Sequence, residues 1–197
     1  MASGGDFYPA TNNSQSLGRS SNRWGTIFGG NLNLSSGGSI SGVAVGKPVA
    51  IMRHKEGHDV QPGTFSSGAD RIRELNTLEH NGESFASLDT TNHYFTLGAG
   101  SYLIYFQAAA FDVNNHRAKI LTYNGTTVIM GNNARSHSGD STISYSYGWG
   151  VITPASTTSY YLGHRCQTTR SDRGFGYEAD FGSEEEFFAQ VIVFKMD

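Results

Sequence analysis

Only one cysteine, Cys166, and four prolines occur in the 197 residues of this chain. A single cysteine closes no intrachain disulfide, so no disulfide framework holds the fold. Cys166 is read as a small apolar residue in a core strand. Charged residues make up just 16%, the net charge is −3, and Lys and Arg form no run. That scarcity argues against a phosphate-neutralising surface and excludes nucleic acid as the expected partner. No apolar run approaches the roughly 20 residues of a membrane-spanning helix, so membrane insertion is not expected and the chain is read as soluble. The opening "MASGGDFYP" has no basic stretch followed by an apolar one, and is not read as a secretory signal. No sustained helical period occurs either; Gly, Thr and aromatics interrupt every candidate.

What the sequence does have is glycine (25 residues), aromatics (12%) and a hydrophobic fraction of 37%. That mixture, rich also in Ser, Thr and Asn, fits an all-β protein with many turns. Residues 1–46 form one compositional unit. It is too poor in apolar residues to bury a core of its own, yet "LGRSSNRWGTIF" carries Trp24, Ile27 and Phe28. Such residues gain by burial only if another chain supplies the other wall. The segment is therefore expected to be a shaft intertwined around an axis, with these three residues packing against symmetry mates.

From Lys47 to Asp197 the pattern predicts ten strands: 49–54, 69–79, 84–88, 93–97, 101–112, 117–123, 126–132, 142–153, 158–168 and 187–196. "SYLIYFQAAAF" and "FFAQVIVFKM" are too apolar for simple alternation, so both their faces need cover. In a β-sandwich one face meets the opposite sheet, and a neighbouring subunit is expected over the other. "YSYGWGV" puts Tyr145, Tyr147 and Trp149 on one face and Ser and Gly on the other. The aromatic side is assigned to subunit packing, and the small-residue side allows close approach.

Alternating strand directions sorts the links. "EHNGE", "TLGAGS", "YNGT" and "TPAST" fall at one end with both ends of the 47–197 region. Asn-Gly, Gly and Pro make these tight turns. The links 55–68, 113–116, 133–141 and 169–186 fall at the other end, and most are long. Long polar loops on a rigid scaffold are the expected binding surface. The candidate contacts are Asn114, Asn115, His116, Arg135, His137, Asp140, Arg170, Asp172, Arg173, Phe175 and Tyr177. Asn, Asp, Arg and Tyr supply the paired donors, acceptors and ring faces that a sugar requires.

Catalytic and metal readings find little footing. The seven histidines show no zinc-ligand spacing, so no metal and no cofactor is expected. Glu184, Glu185 and Glu186 are consecutive rather than set across a cleft. Cys166 with His164 is an i, i+2 pair without a third orienting group. The expectation is a binding protein, not an enzyme.

Two stretches carry a family resemblance. "LGRSSNRWGTIF" resembles the Leu-Gly-x-x-x-x-Arg-Trp-x-x-Ile/Val-Tyr/Phe segments of phage tail-fibre and tailspike proteins. "FTLGAGSYLIYFQAAAFDVNNHRAKILTYNGTTVIMG" and "HRCQTT…GFG…FFAQVIVFKM" resemble the jelly rolls of tumour-necrosis-factor-like domains and complement recognition heads. The resemblance implies a ten-stranded jelly-roll β-sandwich head (47–197) after the shaft (1–46), assembled as a homotrimer. It implies a tail-fibre tip that adsorbs to a host glycan such as lipopolysaccharide or capsule, or to an outer-membrane receptor. Upstream tail-fibre or baseplate proteins would be further partners. The location would be the virion, after assembly in the host cytoplasm. A glycan-cleaving depolymerase and a purely structural trimerisation module are the alternatives.

Overall fold

Alternation builds the strands. In Val49–Glu56 (β1), Ala50, Met52 and His54 are buried, while Val49, Ile51 and Arg53 stay half-buried on the other side. Tyr102–Phe111 (β6) follows the same rule over Tyr102, Ile104, Phe106 and Ala108 until its last residues, Ala109 to Phe111, which are buried on both faces. The computed structural model describes residues 47–137, 139–179 and 181–196. Residues 1–46, and with them Trp24, Ile27 and Phe28, lie outside the described residues.

The remaining strands are Arg71–Ile72 (β2), Thr77–Asn81 (β3), Ala86–Asp89 (β4), Tyr94–Leu97 (β5), Asn114–Thr122 (β7), Thr127–Met130 (β8), Ala134–Ser136 (β9), Ile143–Ile152 (β10), Thr158–Cys166 (β11) and Glu186–Lys195 (β12). All pairings are antiparallel. One sheet runs β10-β6-β12-β1-β3. The other runs β4-β5-β11-β7-β8, with β2 against β11 and β9 against β7. Successive strands hop between sheets, from β5 to β6 to β7 and from β10 to β11 to β12. That hopping is the jelly-roll connectivity expected from the sequence. The chain is all-β, and no α-helix occurs among the described residues.

The main core lies between the sheets. Met52, Ile104, Phe106, Val191 and Val193 from one meet Phe95, Leu97, Ile120, Tyr160 and Leu162 from the other. The small side of β10 lets the sandwich close. A Cβ at Gly148 would sit 2.6 Å from Phe106 Cζ and 2.8 Å from Gly131 Cα, so only glycine permits this approach. Ser146, beside it, accepts the Ala118 N–H at 2.8 Å and donates to the Asn132 carbonyl at 2.8 Å. A second cluster, Phe65, Ala110, Val113, Cys166 and Phe175, lies beyond the end of the main core.

Three strand expectations need correction. The single strand 69–79 is two, on different sheets: β2 pairs with β11, and β3 with β1. Between them Arg73 and Leu75 turn inward and are fully buried. The crossing is held by Arg73 N–H to Leu162 O (2.8 Å) and Asn76 N–H to Arg53 O (2.9 Å), one bond to each sheet. The loop 133–141 contains an extra strand, β9, against the start of β7. Residues 114–116 are the beginning of β7 rather than a loop, because Asp112 and Asn114 both take positive φ (57° and 60°) and turn the chain within two residues.

Candidate functional site

Hydrogen bonds gather the long links at one end. Phe65 and Arg170 exchange backbone bonds of 2.9 and 3.1 Å, Gly63 N–H reaches Asp172 O at 2.8 Å, and Phe111 N–H reaches Gly174 O at 3.1 Å. Asp112 N–H donates to Thr142 O at 3.2 Å. The opposite end holds the tight turns and both ends of the head. There Gly100 N–H bonds Pro154 O (3.1 Å), Lys195 N–H bonds Pro48 O (3.0 Å) and Met196 N–H bonds Ser101 O (2.8 Å).

Asp112 organises the crown. It is 7% exposed, its carboxylate meets Arg170 at 3.1 Å, and it also accepts the Gly139 N–H. Asp112, Asn114, Ser141 and Asp172 all sit at positive φ, between 51° and 60°. Non-glycine residues are uncommon there, and such strain collects at functional loops. Around Asp112 lies a shelf of rings and guanidiniums. Arg173 lies over Tyr177 at 4.5 Å, Arg170 over Phe111 at 5.4 Å, and the rings of Phe111 and Tyr177 are 4.8 Å apart. Arg173 is held by Gln61 Oε1 (2.8 Å), Tyr177 Oη (3.0 Å) and Glu178 Oε1 (2.8 Å). Phe111, Ser141, Ile143, Arg170, Arg173 and Tyr177 line an open recess of about 360 Å³. Such a shelf offers a ring face and forked donors to a polyhydroxyl ligand.

Most predicted contacts lie on or beside this crown. Tyr177 is 39% exposed, Asp172 is exposed, and His137 Nδ1 meets Asp140 Oδ2 at 3.0 Å. Asn114 donates to Thr168 Oγ1 at 2.9 Å. Asn115 and Arg135 are register partners on β7 and β9, at the flank of the crown. Two predicted contacts are corrected. Phe175 is buried, stacked on Phe65 at 4.6 Å under the Arg73 guanidinium, because the underside of the loops needs its own small core. His116 is buried because strand alternation points it inward.

Beneath the crown runs a buried polar chain that the sequence did not disclose. Arg73 donates to the carbonyls of Ala109 (3.2 Å), Phe175 (2.9 Å) and Phe188 (3.2 Å). His164 Nε2 lies 2.9 Å from His116 Nδ1, and His116 Nε2 lies 2.7 Å from Ser144 Oγ. Burial, helped by the Arg73 charge, lowers His54 to about 3 and His116 to about 4, and holds His164 well below the ordinary histidine range. All three are neutral at pH 7. Burial raises the Cys166 thiol to about 11. At neutral pH it stays a thiol, the weakly nucleophilic form.

Two of the three consecutive glutamates hold structural contacts. Glu186 accepts the Ala179 N–H at 2.9 Å, and Glu185 pairs with Lys55 at 2.8 Å. His54, Glu56 and Glu74 bring three possible metal-ligand atoms, one imidazole nitrogen and two carboxylate oxygens, within 4.8 Å of one another. The protonation of His54 opposes a metal there. Arg73 Nη2, which only donates, faces Nδ1 at 3.4 Å, so the ring proton sits on Nε2 and points at Glu56 Oε1, 3.2 Å away. Neither nitrogen keeps a free lone pair.

No protein-family profile and no curated protein sequence matches this chain. Among solved structures it is similar to the globular domain of a zebrafish complement 1qA protein, at 13% identity and a TM-score of 0.45, covering 77% of this chain and 98% of that one. It is also similar to Eiger TNF from S. frugiperda, at 12% identity and a TM-score of 0.45, covering 77% and 94%. The jelly-roll assignment rests on the strand order itself.

Proposed function

We propose that the chain is a homotrimeric receptor-binding tip of a phage tail fibre that attaches to a host-surface glycan such as lipopolysaccharide or capsule. One observation carries the reading: two adjacent outward rows of the β10-β6-β12-β1 sheet are apolar, beside a third row, Tyr147, Gln107, Gln190 and Arg53, that is mostly polar. Trp149, Tyr105, Ile192 and Ile51 are register partners across four strands, and Val151, Leu103, Phe194 and Val49 form the next row. Trp149 is 65% exposed, Val151 59%, Tyr145 50% and Tyr147 44%. A monomer rarely leaves so large a contiguous apolar patch open to water. Copies of this chain packed around an axis would cover it.

The resemblance of "LGRSSNRWGTIF" to tail-fibre segments supports the fibre reading. The loop crown, at the end of the head away from Pro48 and Met196, is the proposed host-facing surface. Three equal sites on one rigid trimer gain avidity without new contacts, which suits a repeating glycan. No bond is broken in this reading and no cofactor takes part. Upstream fibre or baseplate proteins would hold the other end, and the place of action is the virion after assembly in the host cytoplasm. Sedimentation at micromolar concentration is expected to give a trimer, and labelled protein to bind whole host cells. A stable monomer that adsorbs to no cell would overturn the proposal.

A further inference from the structure

The outward side of the other sheet gathers cations that the sequence keeps apart. Arg117 on β7 and Arg165 on β11 are direct register partners, and Lys119 follows two residues along β7. Like charges opposite one another on a sheet face destabilise it. Among the described residues no carboxylate offsets this pair. Arg117 donates to Asn133 Oδ1 at 2.8 Å and Arg165 to the Gly68 carbonyl at 3.3 Å, both neutral acceptors. Asp70 binds Lys119, at 2.7 Å. The two arginines therefore stand side by side uncompensated, on a chain whose net charge is −3. They line an open recess of about 460 Å³ with Asn115, Asn133 and Gln167.

A second observation lies farther down the same face. Tyr161 stands four residues before Arg165 on β11, and Tyr123 follows on from β7. Their rings stack at 5.5 Å, with Tyr94 edge-on to both at 5.7 and 5.9 Å. Tyr123 is 60% exposed and lines a recess of about 680 Å³. Four strand residues span about 13 Å, the reach of a short oligosaccharide. Gly163 lies between, and the side chain of Leu121, the register partner of Tyr161, packs down over it; a Cβ at Gly163 would sit 2.4 Å from Leu121 Cδ1.

We propose that the outer face of β7 and β11 binds an acidic glycan. Its carboxylate or phosphate is clamped between Arg117 and Arg165, and its sugar rings lie on Tyr161 and Tyr123. Arginine forks match these oxyanions bidentately. An anion bridging the two guanidiniums removes the repulsion that the bare sheet carries. This rests on the glycan-attachment reading, names the ligand as acidic, and sets a site on the flank in addition to the crown.

The test is calorimetric titration of the whole 197-residue chain with two pairs of probes. One pair is oligogalacturonate and its methyl ester; the other is phosphorylated lipopolysaccharide core oligosaccharide and its dephosphorylated form. The charged member of at least one pair is expected to bind, more weakly as salt rises, and which pair responds tells carboxylate from phosphate. R117Q and R165Q are each expected to weaken binding about tenfold, with the melting temperature nearly unchanged and R165K restoring part of the loss. Equal binding of charged and neutral forms, or full binding by R117Q and R165Q, overturns the inference. If the protein adsorbs to host cells but binds no acidic probe, the inference falls and the attachment reading stands. If it adsorbs to no cell and binds no probe, both fall.

Discussion

On the β10-β6-β12-β1 sheet the outward positions are Trp149, Tyr105, Ile192 and Ile51 in one row; on β7 and β11 they are Arg117, Arg165, Lys119 and Tyr161. Both sets occupy alternate positions of strands whose other side chains fill one shared core. The inward residues could be exchanged between the sheets with little change in character. The outward ones could not, and they make one side an apolar surface and the other a cationic and aromatic one. A jelly roll leaves its two outer faces independent in this way, because only the inner faces have to fit one another.

The largest expected effect breaks this contrast outright. Trp149→Glu with Ile192→Glu puts charges into the apolar rows and should abolish self-association, read by sedimentation as conversion to monomer. Arg165→Glu on the opposite side should leave assembly intact. Equal effects from both would mean that the faces do not differ in role.

Next comes acid, which attacks the interior both faces share. Unfolded, His54, His116 and His164 titrate near 6.5; folded, His54 and His116 are lowered to about 3 and about 4, and His164 well below 6.5. The unfolded chain therefore binds protons that the folded one refuses. Stability from this source is full above about pH 6.5 and falls as pH drops toward the folded values, by about 1.4 kcal/mol per pH unit for each histidine. A melting temperature flat from pH 7 to 4.5 would contradict this.

Arg73→Met should cost about 3 kcal/mol or more. It strands the carbonyls of Ala109, Phe175 and Phe188 beneath the crown. Thermal unfolding checks the stability, and proteolysis of the 169–186 link should quicken first. The smallest structural effect belongs to the crown surface. Tyr177→Ala, which leaves the Arg173–Glu178 pair in place, should change stability by about 1 kcal/mol or less while cell adsorption drops. Undiminished adsorption would move recognition from the crown to the flank.

Much of the fold was legible. Period-two alternation marks β10 and unbroken apolar runs mark β6 and β12, because burial on one face or on two leaves its signature in neighbouring residues. The Asn-Gly and Gly-rich turns divide the two ends for a similar reason: tight turns depend on a few adjacent residues. The break within 69–79 was not legible. Arg73 looks like an outward strand residue until three carbonyls from distant segments are seen to close around it. Phe175 and His116 failed likewise as surface contacts, since polarity and loop position do not reveal which way a side chain turns.

By itself, then, the sequence determined the all-β class, the polarity of tight turns and long links, and the aromatic face of β10. Each of these is written in near neighbours along the chain. Only the tertiary structure decided that Arg117 and Arg165 stand together, that His164, His116 and Ser144 form one chain, and that Asp112 holds the crown. These pairings join residues 28 to 58 positions apart, and strand register, which depends on how whole sheets stack, sets them.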